Sequence, residues 1–191
     1  MFAELIKAKS DAVPVLADAG GLRLTLGHNV PDMRSNGYDP SIIAEAESFN
    51  EHLEQFIAHS QFGKYLATLT PQELFVASGV RVLPLKSIRD EIQELAPGAR
   101  IFHHGYMPFA RSIGGNAICF HEPSARVVWA DHFTFSTDDI IYNDPETGDI
   151  RLLSFTTDNI ARAVVPLADD FETFLSELLH DELAQKLDKL D

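Results

Sequence analysis

Between residues 39 and 58 the apolar positions Ile42, Ile43, Ala46, Phe49, Leu53, Phe56 and Ile57 return every three or four residues, while Glu45, Glu51 and Glu54 fall elsewhere. That period puts the apolar set on one face of a helix. Asp39 supplies a capping carboxylate and Pro40 suits the first helical position. The same period returns near the end of the chain at Phe171, Phe174, Leu175, Leu178 and Leu179, and Leu183, Leu187 and Leu190 extend it. With Asp169 as cap and Glu172 at the capping-box position, the spacing predicts one amphipathic helix that closes the chain and lies on a sheet.

Between these helices the pattern changes. "NAICF", "RVVWA", "DIIYN" and "IRLLSF" are short runs rich in β-branched and aromatic residues, separated by "HEPSA", "FSTDD" and "DPETGD". Short strands at such spacing, broken by turn residues, predict an antiparallel meander. Upstream, Thr70, Pro71 and Glu73 read as the start of a short helix that Ser78 and Gly79 end. "VRVLPL" reads as a strand stopped by Pro84, and Ser87 as the cap of a short helix carrying Ile88, Ile92 and Leu95. The alternation of Leu22, Leu24 and Leu26 suggests an edge strand followed by a loop. The expected organisation is an irregular N-terminal segment over 1–38 and one α+β domain over 39–191, a mostly antiparallel sheet with helices packed on it.

Composition narrows this picture. The 191 residues, 45% of them hydrophobic, suit a single globular domain with a real core. No run approaches the ~20 apolar residues of a membrane helix. "MFAELIKAKSDAV" lacks the basic-then-apolar order of a signal peptide, and a single cysteine, Cys119, leaves no internal disulfide framework. Together these lead to the expectation of a cytoplasmic protein.

Charge changes the picture more. Fifteen basic residues against 29 acidic ones leave −14, which argues against nucleic acid and anionic membranes as partners and favours a basic protein. From Val127 to Glu182 there are 13 acidic residues and only Arg151 and Arg162 as basic ones. Asp138, Asp139, Asp144, Glu146 and Asp149 lie in predicted turns and strand ends, so they form the candidate partner-binding surface.

Candidate chemistry centres on "PFARSIGGNAICF". A phosphate loop would need Lys and Ser/Thr after the glycines and a helix behind them; here a strand follows. A nucleophile elbow would need Gly-x-Ser-x-Gly, a frame Ser112 lacks. A structural turn fits better: Gly114 and Gly115 can take positive φ, and Asn116 can bond nearby backbone. His103, His104, His121 and Asp131-His132 could gather round a metal, but no HExxH spacing fixes them, so no metal or cofactor is expected. The acids of "STDDIIYNDPETGD" do not follow the order of a calcium loop. Trp129 and Cys119 read as core.

The stretch "YMPFARSIGGNAICFHEPSARVVWADH" resembles the central signature of the SUKH superfamily, which includes fungal Smi/Knr-type cell-wall regulators and many bacterial toxin-immunity proteins. Tyr106, Pro108, Phe109, Gly114, Gly115, Asn116, Trp129 and Asp131-His132 carry the match, and "PLADDFETFLSELL" resembles the family's closing helix. The similarity spans about Val80 to Leu179, while the N-terminal half departs from the pattern. The resemblance implies a non-enzymatic protein-binding domain, an immunity protein that neutralises a cognate toxin, often a nuclease. The alternatives it leaves are a cytoplasmic regulatory module of the same fold, or a small hydrolase using Ser112, the histidines or a metal.

Overall fold

In the computed structural model, residues 14–180 and 182–190 are described, so the reading of residues 1–13 lies outside them. The first element overturns an expectation: Ala19–Leu26 is a helix, α1, not an edge strand. Leu22 and Leu26 stand four apart and are buried, whereas Leu24 is 82% exposed. Three alternating leucines fit a strand, but two of them also fit one helical face. Asp18 caps α1 by accepting from the Gly21 N–H at 2.7 Å. A second short helix, α2 (Val30–Ser35), follows behind its Asn29 cap. The stretch 19–35 is therefore helical rather than irregular.

The predicted long helix is α3, Pro40–Ala58, and Asp39 accepts from the Ser41 amide as expected. Its buried stripe is Ala46, Phe49, Leu53 and Phe56, while Ile42 points outward. Arg23 and Arg34 pair with Glu54 and Glu47 of this helix. The Asn50 amide clasps both the N–H and the carbonyl of His28 at 2.9 Å. Exposed ion pairs stabilise little, so the buried leucines do most to hold α1 on α3.

After α4 (Phe62–Thr68) comes a second correction. "TPQE" does not start a helix. Thr70 ends α4, its amide and hydroxyl both donating to the Tyr65 carbonyl. The chain then makes a hairpin of β1 (Phe75–Ala77) and β2 (Val80–Val82). Ser78 and Gly79 both have positive φ, +49° and +75°, as a two-residue hairpin turn requires. Helix α5 (Leu85–Gln93) starts directly after Pro84, two residues before the expected Ser87 cap. The four-residue α6 (Gly98–Ile101) and a 3-10 turn lead into the sheet.

Strands β3 (Tyr106–Ser112), β4 (Ala117–His121) and β5 (Arg126–Ala130) form the sheet's centre. Pro108 is tolerated inside β3 because the register shifts between Pro108 and Ala110. The chain next leaves the sheet. Among the described residues, strands β6 (Ile140–Asn143) and β7 (Ile150–Leu153) pair only with each other, and α7 (Thr157–Ala163) follows. Then β8 (Val165–Ala168) returns beside β5, giving the antiparallel order β1-β2-β3-β4-β5-β8. The predicted meander is thus split: "DIIYN" and "IRLLSF" form a separate ribbon, and the sequence reading missed β8.

The closing helix also differs in detail. It is α8 (Phe171–Leu179), capped by Asp170 rather than Asp169, and a separate short α9 (Leu183–Leu187) follows. Lys186 bridges the two, donating to Glu177 and to the Leu167 carbonyl.

Two apolar cores flank the sheet. On one face Phe109, Ile118, Phe120 and Val127 meet α3, α4, α8 and α9. Phe62 lies at the centre of this layer, stacked on Phe120 at 4.4 Å and edge-on to Phe171 at 5.2 Å. On the other face Ala117, Cys119, Val128 and Ala130 are covered by Phe135, Ile140, Ile160 and Val164. The excursion over 131–164 is therefore the lid of the second core, and it carries the ribbon on its outside.

Candidate functional site

The two glycines sit in the turn joining β3 to β4. The Ser112 amide donates to the Asn116 carbonyl at 2.9 Å, and the Gly115 amide donates to the Ser112 carbonyl at 3.1 Å. Gly115 has the left-handed φ of +94° that a side chain would resist. Asn116 reaches further than the sequence reading supposed. Its side-chain oxygen accepts from the His132 amide at 3.0 Å and from His132 Nδ1 at 2.7 Å. The turn is thereby tied to the chain leaving β5. Asp131 shapes the same corner, accepting from the Phe133 amide and the Thr134 hydroxyl, both at 3.1 Å. Ser112 is fully buried and its hydroxyl accepts from the Asn116 amide.

The remaining motif residues also have structural places. Tyr106 stacks on His121 at 4.1 Å, and burial pushes its phenol up to about 12. Phe109 and Trp129 lie in the helix-facing core. The Trp129 indole N–H has no hydrogen-bond partner among the described residues. Cys119 is buried, which raises its thiol well above its ordinary value. Among the described residues no three His, Cys, Asp or Glu side chains are disposed to hold a metal ion.

The five acidic candidates lie at the two ends of the β6–β7 ribbon. Asp144, Glu146 and Asp149 surround its turn, and Asp138 and Asp139 precede β6 at the opposite end. The turn is well built: Asp144 accepts from the Glu146 amide at 3.0 Å, and Gly148 takes φ +73°. Two of the acids are partly neutralised, Asp138 by Arg100 at 3.3 Å and Asp144 by Arg151 at 3.0 Å. Asp139, Glu146 and Asp149 are exposed and have no cation within 4.0 Å among the described residues.

What the sequence reading missed on this ribbon is apolar. Ile150 and Leu152 are 73% and 67% exposed. They stand opposite Asn143 and Ile141, and residues opposed in register share a face. Ile140 and Leu153, one residue out of phase, point into the second core. A separate two-stranded ribbon exposes one face by construction, but a reading that merged it into the sheet had no outer face to look for.

A wide, shallow depression of about 650 Å³ lies beside α1 and α4, lined in part by Leu16, Thr25 and Ala67. A depression of about 260 Å³ lies between α1 and α3, lined in part by Arg23, His28 and Glu54. One of about 250 Å³ lies beside β2 and α5, where Arg81 and Arg111 face each other across the strands. There Glu91, 2% exposed, pairs with Arg111, and its second oxygen has no partner among the described residues. Burial raises the Glu91 carboxyl above its ordinary value, and Arg111 opposes that shift. No described helix is long and apolar enough to cross a membrane. Compared with known proteins, the chain matches no family model, no curated protein and no solved structure.

Proposed function

We propose that this chain is a non-enzymatic protein-binding domain of the SUKH type, an immunity protein that captures a basic toxin domain on its acidic ribbon. The observation that carries the proposal is the ribbon itself: five acids at the two ends of a hairpin that stands apart from the sheet, three of them without an ion-pair partner among the described residues. A nuclease must offer cationic surface to its substrate. An acidic hairpin that occupies that surface competes with the nucleic acid and speeds association through charge complementarity. Two further features support the reading. The Gly-Gly-Asn turn stands between β3 and β4, and Asp131-His132 follow β5, in the order the SUKH resemblance requires. The residues of greatest chemical interest, Ser112 and Cys119, are buried within the scaffold.

The test is co-expression with the product of the adjoining gene, followed by purification at low and high salt. A stable complex with a basic protein is expected, weakening as the screening length falls from about 10 Å at 0.1 M salt to about 3 Å at 1 M. Failure to retain a basic protein even at low salt would count against the proposal.

A further inference from the structure

The acids do not act alone. On the outward face of the ribbon Ile141 and Leu152 stand opposite one another, as do Asn143 and Ile150. Ile150 and Leu152 are among the most exposed large apolar side chains of the described residues. Exposed acids bracket this patch at both ends: Glu146 and Asp149 at the turn, Asp138 and Asp139 at the base. Strands of four residues span about 13 Å, so both acid groups lie within reach of one short segment. Arg151, the basic residue between the two leucine-like positions, faces the opposite side and is held by Asp144.

An apolar centre ringed by charge is the layout of a protein-binding patch, in which the centre supplies affinity and the rim supplies orientation and rate. An acid-only surface would serve as a nonspecific attractant for any cation. We propose that the outward ribbon face is the contact itself, and that its occupant is a segment of the basic partner with apolar side chains in its middle and Lys or Arg at both ends. The apolar residues of the partner cover Ile150 and Leu152, while its cations meet the two acidic clusters. Among the described residues β7 pairs with no other strand than β6, so an extended segment can also donate and accept along its other edge. This inference rests on the acidic-capture reading above and adds to it the apolar anchor that sets specificity.

The probe is a synthetic peptide of about ten residues, with lysines at both ends and alternating leucines in the middle, compared with one whose leucines are replaced by serines. Binding to the intact chain is followed by fluorescence anisotropy at low salt, and the contact is mapped by amide chemical shifts. The leucine peptide should bind at least about ten-fold more tightly than the serine peptide. Its shifts should fall on residues 138–153. Ile150→Ser/Leu152→Ser should erase the difference while leaving the melting temperature unchanged, because both side chains are solvent-exposed. If both peptides bind equally and the double variant behaves as wild type, the apolar anchor is wrong and acidic capture stands. If neither peptide binds, both readings fall. Shifts confined to another face would overturn the assignment of the site even with tight binding.

Discussion

Replacing Arg111 with methionine isolates the most deeply placed charge pair among the described residues. Glu91 is 2% exposed, and Arg111 supplies its one ion pair among the described residues. Removing one member of a buried pair costs about 3–5 kcal/mol, chiefly because the other charge is left desolvated. Arg111 is one-third exposed, and its removal also relieves the apposition with Arg81, so the lower end, about 3 kcal/mol at neutral pH, is expected. For a chain of this size that is a fall of about 6–12 °C in melting temperature. The pH dependence gives a sharper signature. Burial already holds the Glu91 carboxyl above its ordinary value of 4.5. A carboxyl raised in the folded state favours folding when protonated, so its contribution is fully present below the unfolded value and is lost as pH climbs through the folded one. Without Arg111 the folded value rises further. The deficit of Arg111→Met should therefore be small near pH 4 and grow toward pH 7. Guanidinium melts of wild type, Arg111→Met, Glu91→Gln and the double variant at both pH values would measure it. The double variant should recover most of the loss at pH 7. A deficit that does not change with pH, or a Glu91→Gln change that fails to rescue, would refute the reasoning.

Two other outcomes are expected. A Cβ at Gly63 would lie 2.1 Å from the Ile57 carbonyl oxygen, a backbone atom that cannot swing aside. Gly63→Ala should thus cost about 3 kcal/mol in chemical melts, against about 1 kcal/mol for Gly37→Ala, where only a φ of +72° opposes the change. Burial lowers the imidazoles of His28, His103, His104 and His121 below their ordinary value of 6.5. Their neutral forms favour the fold, so stability is fully present above that value and is lost as pH falls through the folded values. Melting temperatures should drop on acidification, and His103→Asn/His104→Asn should lose less than wild type.

The sequence was informative where one period left no rival. α3 and α8 carry long stripes with caps close to their ends, and β4 and β5 are apolar runs with turns on both sides; these emerged nearly as read. Leu22-Leu24-Leu26 failed because a separation of two belongs to strands and a separation of four to helices, and only burial decides between them. "TPQE" failed because Thr70 does close a hydrogen bond, but backwards onto Tyr65. β8 escaped notice because it is a four-residue strand containing Pro166, a residue that sheets accept only at their edges. At the candidate site the acids were legible as composition. Their clustering was not, because it depends on the ribbon leaving the sheet, and no local pattern encodes which strands become neighbours. The tie from Asn116 to His132, sixteen residues along, was hidden for the same reason.

β5 and β8 are bonded neighbours, yet residues 131–164 lie between them. The ladder that joins these two strands is indifferent to what the detour carries, provided Phe135, Ile140, Ile160 and Val164 keep plugging the face beneath. Lineages of such a chain are free to rewrite or lengthen the tip over 144–149 while the scaffold stays fixed. Doubling a flexible loop costs only about 0.6 kcal/mol in closure entropy. If the chain captures a toxin as proposed, a replaceable fingertip of this kind lets it follow a changing partner without refolding its core.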